Sequence, residues 1–373
     1  MLSEWEIKQN YIFGYNANII NLNEIKSVYM FDLDYTLIKT KSGKKFPTSK
    51  TDWELLDANV LNKLSSLKKS LIGIISNQKG LKTPEQKTDW IDKIKRLNQI
   101  VGIDFVFAST SDDRYRKPLP GSFEFVREKI VGVNWDNLID CDKIYYIGDA
   151  FGREKDFSDT DIKYALNNKF KFKTPEIFFK FNKEYGKSGS VDYPNITYFT
   201  ELEQTKLFND LDSIINSHKK IIIITIGLPA SGKSFLRKEL IKKYPQFAYS
   251  NNDDINSNVQ SKNLIKKIST DYDFIIDDNT NLDKSATNAK LKQFESYYKV
   301  GIWFNYDMDI CFHLNWMRMY WYGAKLLPKV SYYTLKKKFD SDSIKNGDGF
   351  DKFISINKVF REMDLSNKIK YYF

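Results

Sequence analysis

The chain has 373 residues, 42% hydrophobic and 15% aromatic, and 58 Lys and Arg against 48 Asp and Glu give a net charge of +10. This length exceeds one ordinary core and the apolar content excludes a disordered chain, so two domains are expected. Two cysteines, Cys141 and Cys311, and two histidines, His218 and His313, exclude a disulfide framework, a zinc site and histidine-centred hydrolysis. Both cysteines are expected in the core. The basic excess suits a polyanionic partner, although a Lys-, Asn- and Ile-rich coding bias gives the same charge. No run approaches the roughly 18 apolar residues of a membrane span, and Met1-Leu2-Ser3-Glu4-Trp5 does not lead into a signal-peptide core, so neither membrane insertion nor secretion is expected.

The first predicted strand, residues 28–31, runs into Asp32-Leu33-Asp34-Tyr35-Thr36. Carboxylates two positions apart in an extended segment point to one side, where they repel unless a cation or a shared proton compensates them. A helical pattern over residues 58–67 precedes a strand at 71–75 that ends in Ser76-Asn77-Gln78. A second helical pattern, 88–100, leads toward Lys117-Pro118, and a strand at 144–147 ends in Gly148-Asp149. Short apolar runs, each with polar residues at its carboxyl end and helices between, predict βαβ units and a parallel sheet. Ligands of such sheets bind at the carboxyl ends of the strands, where these clusters fall. Asp156 and Asp161 follow and are read as helix-capping or structural groups in preference to metal ligands. Residues 186–194 read as a loop near a domain boundary.

A second sheet begins at Ile221, where an isoleucine run feeds Gly227-Leu228-Pro229-Ala230-Ser231-Gly232-Lys233-Ser234. A strand, a glycine-bounded loop ending in Lys-Ser and then a helix form a phosphate-binding loop: amides turn around a triphosphate, Lys233 reaches its β/γ oxygens and the Ser234 hydroxyl ligates Mg²⁺. A bound nucleoside triphosphate is expected. Further on come Asn251-Asn252-Asp253-Asp254, a strand at 274–276 leading into Asp277-Asp278-Asn279-Thr280-Asn281, and a strand at 300–304. The aromatic group Trp316, Tyr320, Trp321 and Tyr322 has helical spacing and is expected to pack the core or a lid, with base stacking as the alternative.

The ordered set Asp32-x-Asp34-x-Thr36, Ser76-Asn77-Gln78, Lys117-Pro118 and Gly148-Asp149 resembles the haloacid-dehalogenase phosphatases. The resemblance implies that Asp32 is the nucleophile and Asp34 the general acid and base, with Ser76 and Lys117 on the phosphoryl group. It implies Mg²⁺ held by Asp32, the main-chain carbonyl of Asp34 and Asp149. Tyr35 stands where that family usually has glycine, which puts the turn geometry in question. Residues 31–47 with Asp52-Trp53, and the longer block 148–179, narrow the resemblance to polynucleotide kinase 3′-phosphatases.

The second half resembles the kinase part of that family. There Gly227, Pro229, Ser231, Gly232, Lys233 and Ser234 would bind ATP, Ser234 would also hold Mg²⁺, and Asp253, in preference to Asp254, would abstract the proton of the acceptor hydroxyl. Asn77, Asp278 and Asn281 would position substrate. His313–Arg318 and Pro328 resemble a lid over ATP, and Arg318 would stabilise the transferring phosphoryl group.

The implied fold is α/β in two domains, each a parallel-sheet α/β sandwich: haloacid-dehalogenase-like over 1–202, then P-loop kinase-like over 203–373. The implied activity removes 3′-phosphate and transfers the ATP γ-phosphate to a 5′-hydroxyl of DNA or RNA before ligation. The implied partners are nucleic-acid ends, ATP, Mg²⁺ and a ligase, with the chain acting as a monomer away from membranes. Residence in the nucleus or cytoplasm, or in a viral factory if the source is viral, is expected. The short stretch before residue 28 carries no expectation of the amino-terminal phosphopeptide-binding domain of animal relatives. The alternatives are a phosphatase fused to a small-metabolite kinase, and a repair scaffold that binds ATP and DNA ends without catalysis.

Overall fold

Parallel strands covered by helices on both faces read as nearly unbroken apolar runs, and the central strands of this chain, Ser70–Asn77, Phe105–Ser109 and Ile221–Gly227, are buried along nearly their whole length. A computed structural model describes residues 2–18, 24–45, 47–180, 191, 193–251, 270–338, 349–360, 363 and 372–373. The chain divides into two compact units, Met1–Tyr193 with Lys370–Phe373, and Pro194–Ile369. The division lies ahead of the helix Glu201–Ser217 and not inside its first turn at 202/203. That helix is bounded by a capping box in which Thr200 and Glu203 satisfy each other's amides.

Among the described residues the first unit carries nine strands: β1 (Glu4–Ile7), β2 (Tyr11–Tyr15), β3 (Ser27–Phe31), β4 (Ile38–Lys39), β5 (Glu54–Leu55), β6 (Ser70–Asn77), β7 (Phe105–Ser109), β8 (Ile144–Ile147) and β9 (Lys171–Lys173). Seven form one sheet in the order β1-β2-β7-β6-β3-β8-β9. From β7 to β9 the pairings are parallel, and β1 and β2 extend the sheet antiparallel. This hairpin is absent from the sequence-based expectation. Residues of β3 alternate between two cores. Tyr29 and Phe31 face the layer holding Ile74, Trp90, Ile94 and Leu97, while Val28 and Met30 face the layer holding Phe107, Phe123, Tyr146 and Tyr164. The helix Pro84–Val101 covers the first face, its start fixed by a Thr83–Gln86 capping box, and the helices Gly121–Lys129 and Thr160–Asn167 cover the second. Phe31 pairs with Ile74 on one side and Ile147 on the other. Asp32 therefore emerges at the centre of the carboxyl edge, where strand order reverses.

Tyr372 closes this unit: its amide donates to Asn167 Oδ1 and its carbonyl accepts from Asn167 Nδ2, while Lys163 Nζ donates to the Phe373 carbonyl. Cys141, expected in the core, is exposed, because it caps the helix Trp135–Asp140 within the exposed run 140–143 that precedes β8; Cys311 is buried.

Among the described residues the second unit has an all-parallel five-stranded sheet, β11 (Ala248–Ser250), β12 (Phe274–Asp277), β10 (Ile221–Gly227), β13 (Tyr298–Phe304) and β14 (Lys352–Ile356), in that spatial order. Every residue of β10 is buried, and Ile222, Ile224 and Ile226 pack with Ile275, Leu291, Phe294 and Trp303. β10 lies between β12 and β13, so the loop after Gly227 opens at the switch point of this sheet as well.

Two candidate active sites

In the first unit the ends of β3, β6 and β8, with the segment that follows β7, deliver polar groups to one place. Lys117 is the hub: its backbone is clamped by Asn77, whose Nδ2 donates to the Lys117 carbonyl and whose Oδ1 accepts the Lys117 amide, both at 3.0 Å. Its ammonium donates to Asp32 Oδ1 at 2.8 Å, Asp161 Oδ1 at 2.8 Å and the Tyr146 hydroxyl at 2.7 Å. Burial alone would depress that ammonium, but Asp161 and Asp32 outweigh it and hold its pKa above the ordinary lysine value. Asp32, Asp149 and Asp161 bring carboxylate oxygens within 4.8 Å of one another. Repulsion between two such charges is about 4 kcal/mol at an effective dielectric of about 20. One ammonium cannot neutralise three carboxylates. Burial, with Asp161 and Asp32 alongside, accordingly pushes Asp149 up to about 8. This excess of hard oxygen donors fits a divalent cation such as Mg²⁺.

Asp34 is not one of that trio, although Asp32 is near enough to act on it. Gln78 Nε2 donates to its Oδ2 at 2.7 Å and to Ser76 Oγ at 3.0 Å, and burial raises its pKa. Thr36 Oγ1 donates to Asp149 Oδ1 at 3.3 Å. Tyr35 adopts a left-handed backbone (φ +58°), so the glycine-type turn is kept with a side chain on it, and its hydroxyl donates to the Lys45 carbonyl at 3.1 Å.

Of the capping or structural roles expected of Asp161, it fills a structural one. It lies in the first turn of the helix Thr160–Asn167, but its carboxylate turns to Lys117 and accepts the Ala150 amide. Gly148 makes room for it, since a Cβ there would stand 2.3 Å from Asp161 Oδ2. Asp156 does organise its own loop, accepting from the Phe151 and Arg153 amides and from Arg153 Nε. Tyr146 was not singled out in the sequence, and Gln78 stood in the Ser76-Asn77-Gln78 motif with no role assigned to it. Tyr146 is one of two tyrosines in the short strand β8, and nothing in its spacing marks the direction of its hydroxyl.

In the second unit the loop after β10 runs into the helix Lys233–Lys243 through Gly232, where the left-handed φ of +99° suits glycine and an added Cβ would stand 2.9 Å from Met363 Sδ. Lys233 is folded onto the loop itself, donating to the carbonyls of Gly227 (3.0 Å) and Leu228 (2.6 Å) and to Ser231 Oγ (3.3 Å). Ser234 is exposed at the helix start, and its side chain lies close enough to Asp278 to favour that carboxyl's charged form. Asp278 is buried, its pKa raised chiefly by that burial, and it pairs with Arg237 Nε at 2.9 Å. Asn281 (φ +46°) serves as a bracket: its Nδ2 donates to the Thr225 carbonyl and Asp277 Oδ2, and its Oδ1 accepts from Lys290. The Tyr332 hydroxyl donates to the carbonyl of Pro229 at 3.3 Å.

Arg318 lies on the helix Met308–Tyr322 and donates to Asn315 Oδ1 and the Lys325 carbonyl, while Asn315 Nδ2 donates to the Leu327 carbonyl. Trp316 packs edge-on against Phe312 and Tyr320 against Trp321, with Tyr322 exposed. Asp253 and Asp254, the candidates for the kinase base, lie outside the described residues, as does most of the 186–194 loop.

Residues 27–179 match the family model described as polynucleotide kinase 3 phosphatase. A bifunctional polynucleotide phosphatase/kinase of Schizosaccharomyces pombe is 28% identical over 353 residues, spanning 92% of this chain and 82% of that protein. A polynucleotide 3′-phosphatase of Saccharomyces cerevisiae is 30% identical over 215 residues, covering 41% of this chain and 87% of that protein.

Proposed function

This chain belongs to the polynucleotide kinase 3′-phosphatase family, and we propose that it heals nucleic-acid ends with two active sites, one in each unit. The observation that carries this reading is the joint presence of the Lys117-centred carboxylate cluster and the Gly227–Ser234 loop, each at the switch point of its own sheet.

In the first unit we assign 3′-phosphate removal. Asp32 attacks phosphorus and forms an aspartyl phosphate as the 3′-oxygen departs. Asp34, whose burial favours the protonated form, donates its proton to that oxygen and then takes one from the water that hydrolyses the intermediate. Lys117 stabilises charge on the phosphoryl oxygens and on Asp32, and Ser76 supplies a hydroxyl donor to the same oxygens. Asn77 contributes by fixing Lys117. Asp32 and Asp149, with the Asp34 carbonyl, would hold Mg²⁺, which supplies charge neutralisation that lets a phosphate dianion approach the carboxylates.

In the second unit we assign transfer of the ATP γ-phosphate to a 5′-hydroxyl. The loop bearing Gly227, Pro229, Ser231 and Gly232 cradles the phosphates, and Lys233 exchanges its present carbonyl partners for phosphate oxygens when nucleotide enters. Ser234, next to buried Asp278, would hold Mg²⁺, and Arg318 would neutralise charge on the moving group. Asp253 is assigned as the base that accepts the hydroxyl proton. Asn281 acts by bracing the Asp277–Asn281 segment beneath the loop. The products, a 3′-hydroxyl and a 5′-phosphate, are what a ligase consumes. We assign the chain as a monomer within the cell that hands its product on.

An end-labelled oligonucleotide with a 3′-phosphate and a 5′-hydroxyl, offered as DNA and as RNA, tests the reading. Asp32→Ala is expected to abolish phosphate release and spare phosphorylation, and Lys233→Ala to do the reverse. A substitution that leaves both reactions intact contradicts the assignments. Rates on polymer should fall steeply with salt, whereas a small-metabolite kinase would show no such fall.

A further inference from the structure

We propose that Tyr146 is a positioning residue for 3′-phosphate removal, acting through Lys117; the inference rests on the phosphatase reading of the first unit. A lysine ammonium has three N–H donors and no lone pair. Lys117 spends them on Asp32 Oδ1, Asp161 Oδ1 and the Tyr146 hydroxyl, and with 3% side-chain exposure it has no water to exchange with them. The Tyr146 hydroxyl donates its own proton to the Ile75 carbonyl at 2.8 Å, so toward Lys117 it presents a lone pair. Its orientation is therefore set by the main chain of β6, immediately before Ser76.

The ring cannot swing aside. Tyr146 is fully buried and meets Tyr164 edge-on with centroids 4.9 Å apart. Asn77 holds the other end of Lys117 through two backbone hydrogen bonds. Of the three acceptors around the ammonium, Tyr146 is the uncharged one. It holds the nitrogen between Asp32 and Asp161 without competing with either as an anion. Loss of the hydroxyl leaves one buried N–H unsatisfied and frees the ammonium to shift between Asp161 and Asp32, the carboxylate assigned to attack phosphorus.

Tyr146→Phe in the full chain is expected to lower kcat for phosphate release by about 10–100-fold with KM changed less than about twofold, because a displacement near 1 Å of a charge-stabilising group acts on the transition state. The same kcat loss is expected on a 3′-phosphorylated oligonucleotide and on a small aryl phosphate, since Lys117 serves the phosphorus and not the leaving strand. Phosphorylation of 5′-hydroxyls should be unchanged. If Tyr146→Phe does not give folded protein, replacement by 4-aminophenylalanine keeps the ring and an N–H for Ile75 but supplies a poor acceptor, and the same kcat loss is expected. A kcat within about twofold of wild type, or a loss confined to KM, overturns the inference while an active wild type leaves the phosphatase reading standing. A wild-type chain that releases no phosphate from either substrate sinks that reading and the inference with it.

Discussion

Gly148→Ala puts the architecture of the first site under a direct steric test. The backbone at 148 lies outside the left-handed region, so alanine brings no conformational penalty and its whole effect is the added methyl. That methyl would stand 2.3 Å from Asp161 Oδ2 and 2.5 Å from its Cγ. Ordinary contact begins near 3.5 Å, so Asp161 must retreat by about 1 Å. It cannot do so freely, being 1% exposed and held by the Lys117 ammonium and the Ala150 amide. Overpacking costs about 1–3 kcal/mol, and loosening a buried ion pair adds to it. We expect a loss of about 2–4 kcal/mol, a melting midpoint for the first unit lower by about 5–10 °C, and a fall of about 100-fold in the rate of phosphate release. Gly80→Ala is the control, since a Cβ there meets nothing within 4 Å. The assay is phosphate release, with 5′-phosphorylation as the internal reference. Wild-type phosphate release together with an unshifted midpoint in Gly148→Ala would refute the claim that Asp161 is wedged against this glycine to hold Lys117.

Asn281→Ala should cost about 3 kcal/mol, from lost hydrogen bonds and from alanine in a left-handed backbone, and should remove phosphorylation while phosphate release persists. Mg²⁺ at about 100 times its Kd should stabilise the first unit by about 2.7 kcal/mol, and Asp149→Asn should erase that shift in calorimetry. Glu203 is held down to about 2 by Lys358 and by the Thr200 amide. A depressed carboxyl adds stability above its unfolded pKa and loses it as pH falls toward the folded one. Glu203→Gln should therefore melt below wild type at pH 7, with the gap closing as pH drops from the usual carboxylate range toward 2; a constant gap across that window would contradict the pairing.

Strand positions were legible because a parallel strand buried on both faces has to be apolar throughout. The expected strands at 28–31, 71–75, 144–147, 274–276 and 300–304 lie within β3, β6, β8, β12 and β13. Contiguous motifs were legible for a similar reason: in Asp32-Leu33-Asp34 or Gly232-Lys233-Ser234 the chemistry needs those groups at fixed separations along the backbone. The hairpin of β1 and β2 was not legible, because its pairing to β7 depends on an edge about 90 residues away that no local pattern announces.

The sequence by itself determined which strands end in phosphate-handling groups, since backbone periodicity and motif spacing are local. Only the tertiary structure decided what completes each group. Asp161 and Tyr146 reach Lys117 across 44 and 29 positions of chain, and Tyr372 pins itself to Asn167 across 205. Such contacts exist only once strand order and the close approach at Gly148 have been fixed by packing, because burial leaves the ammonium no water to take their place.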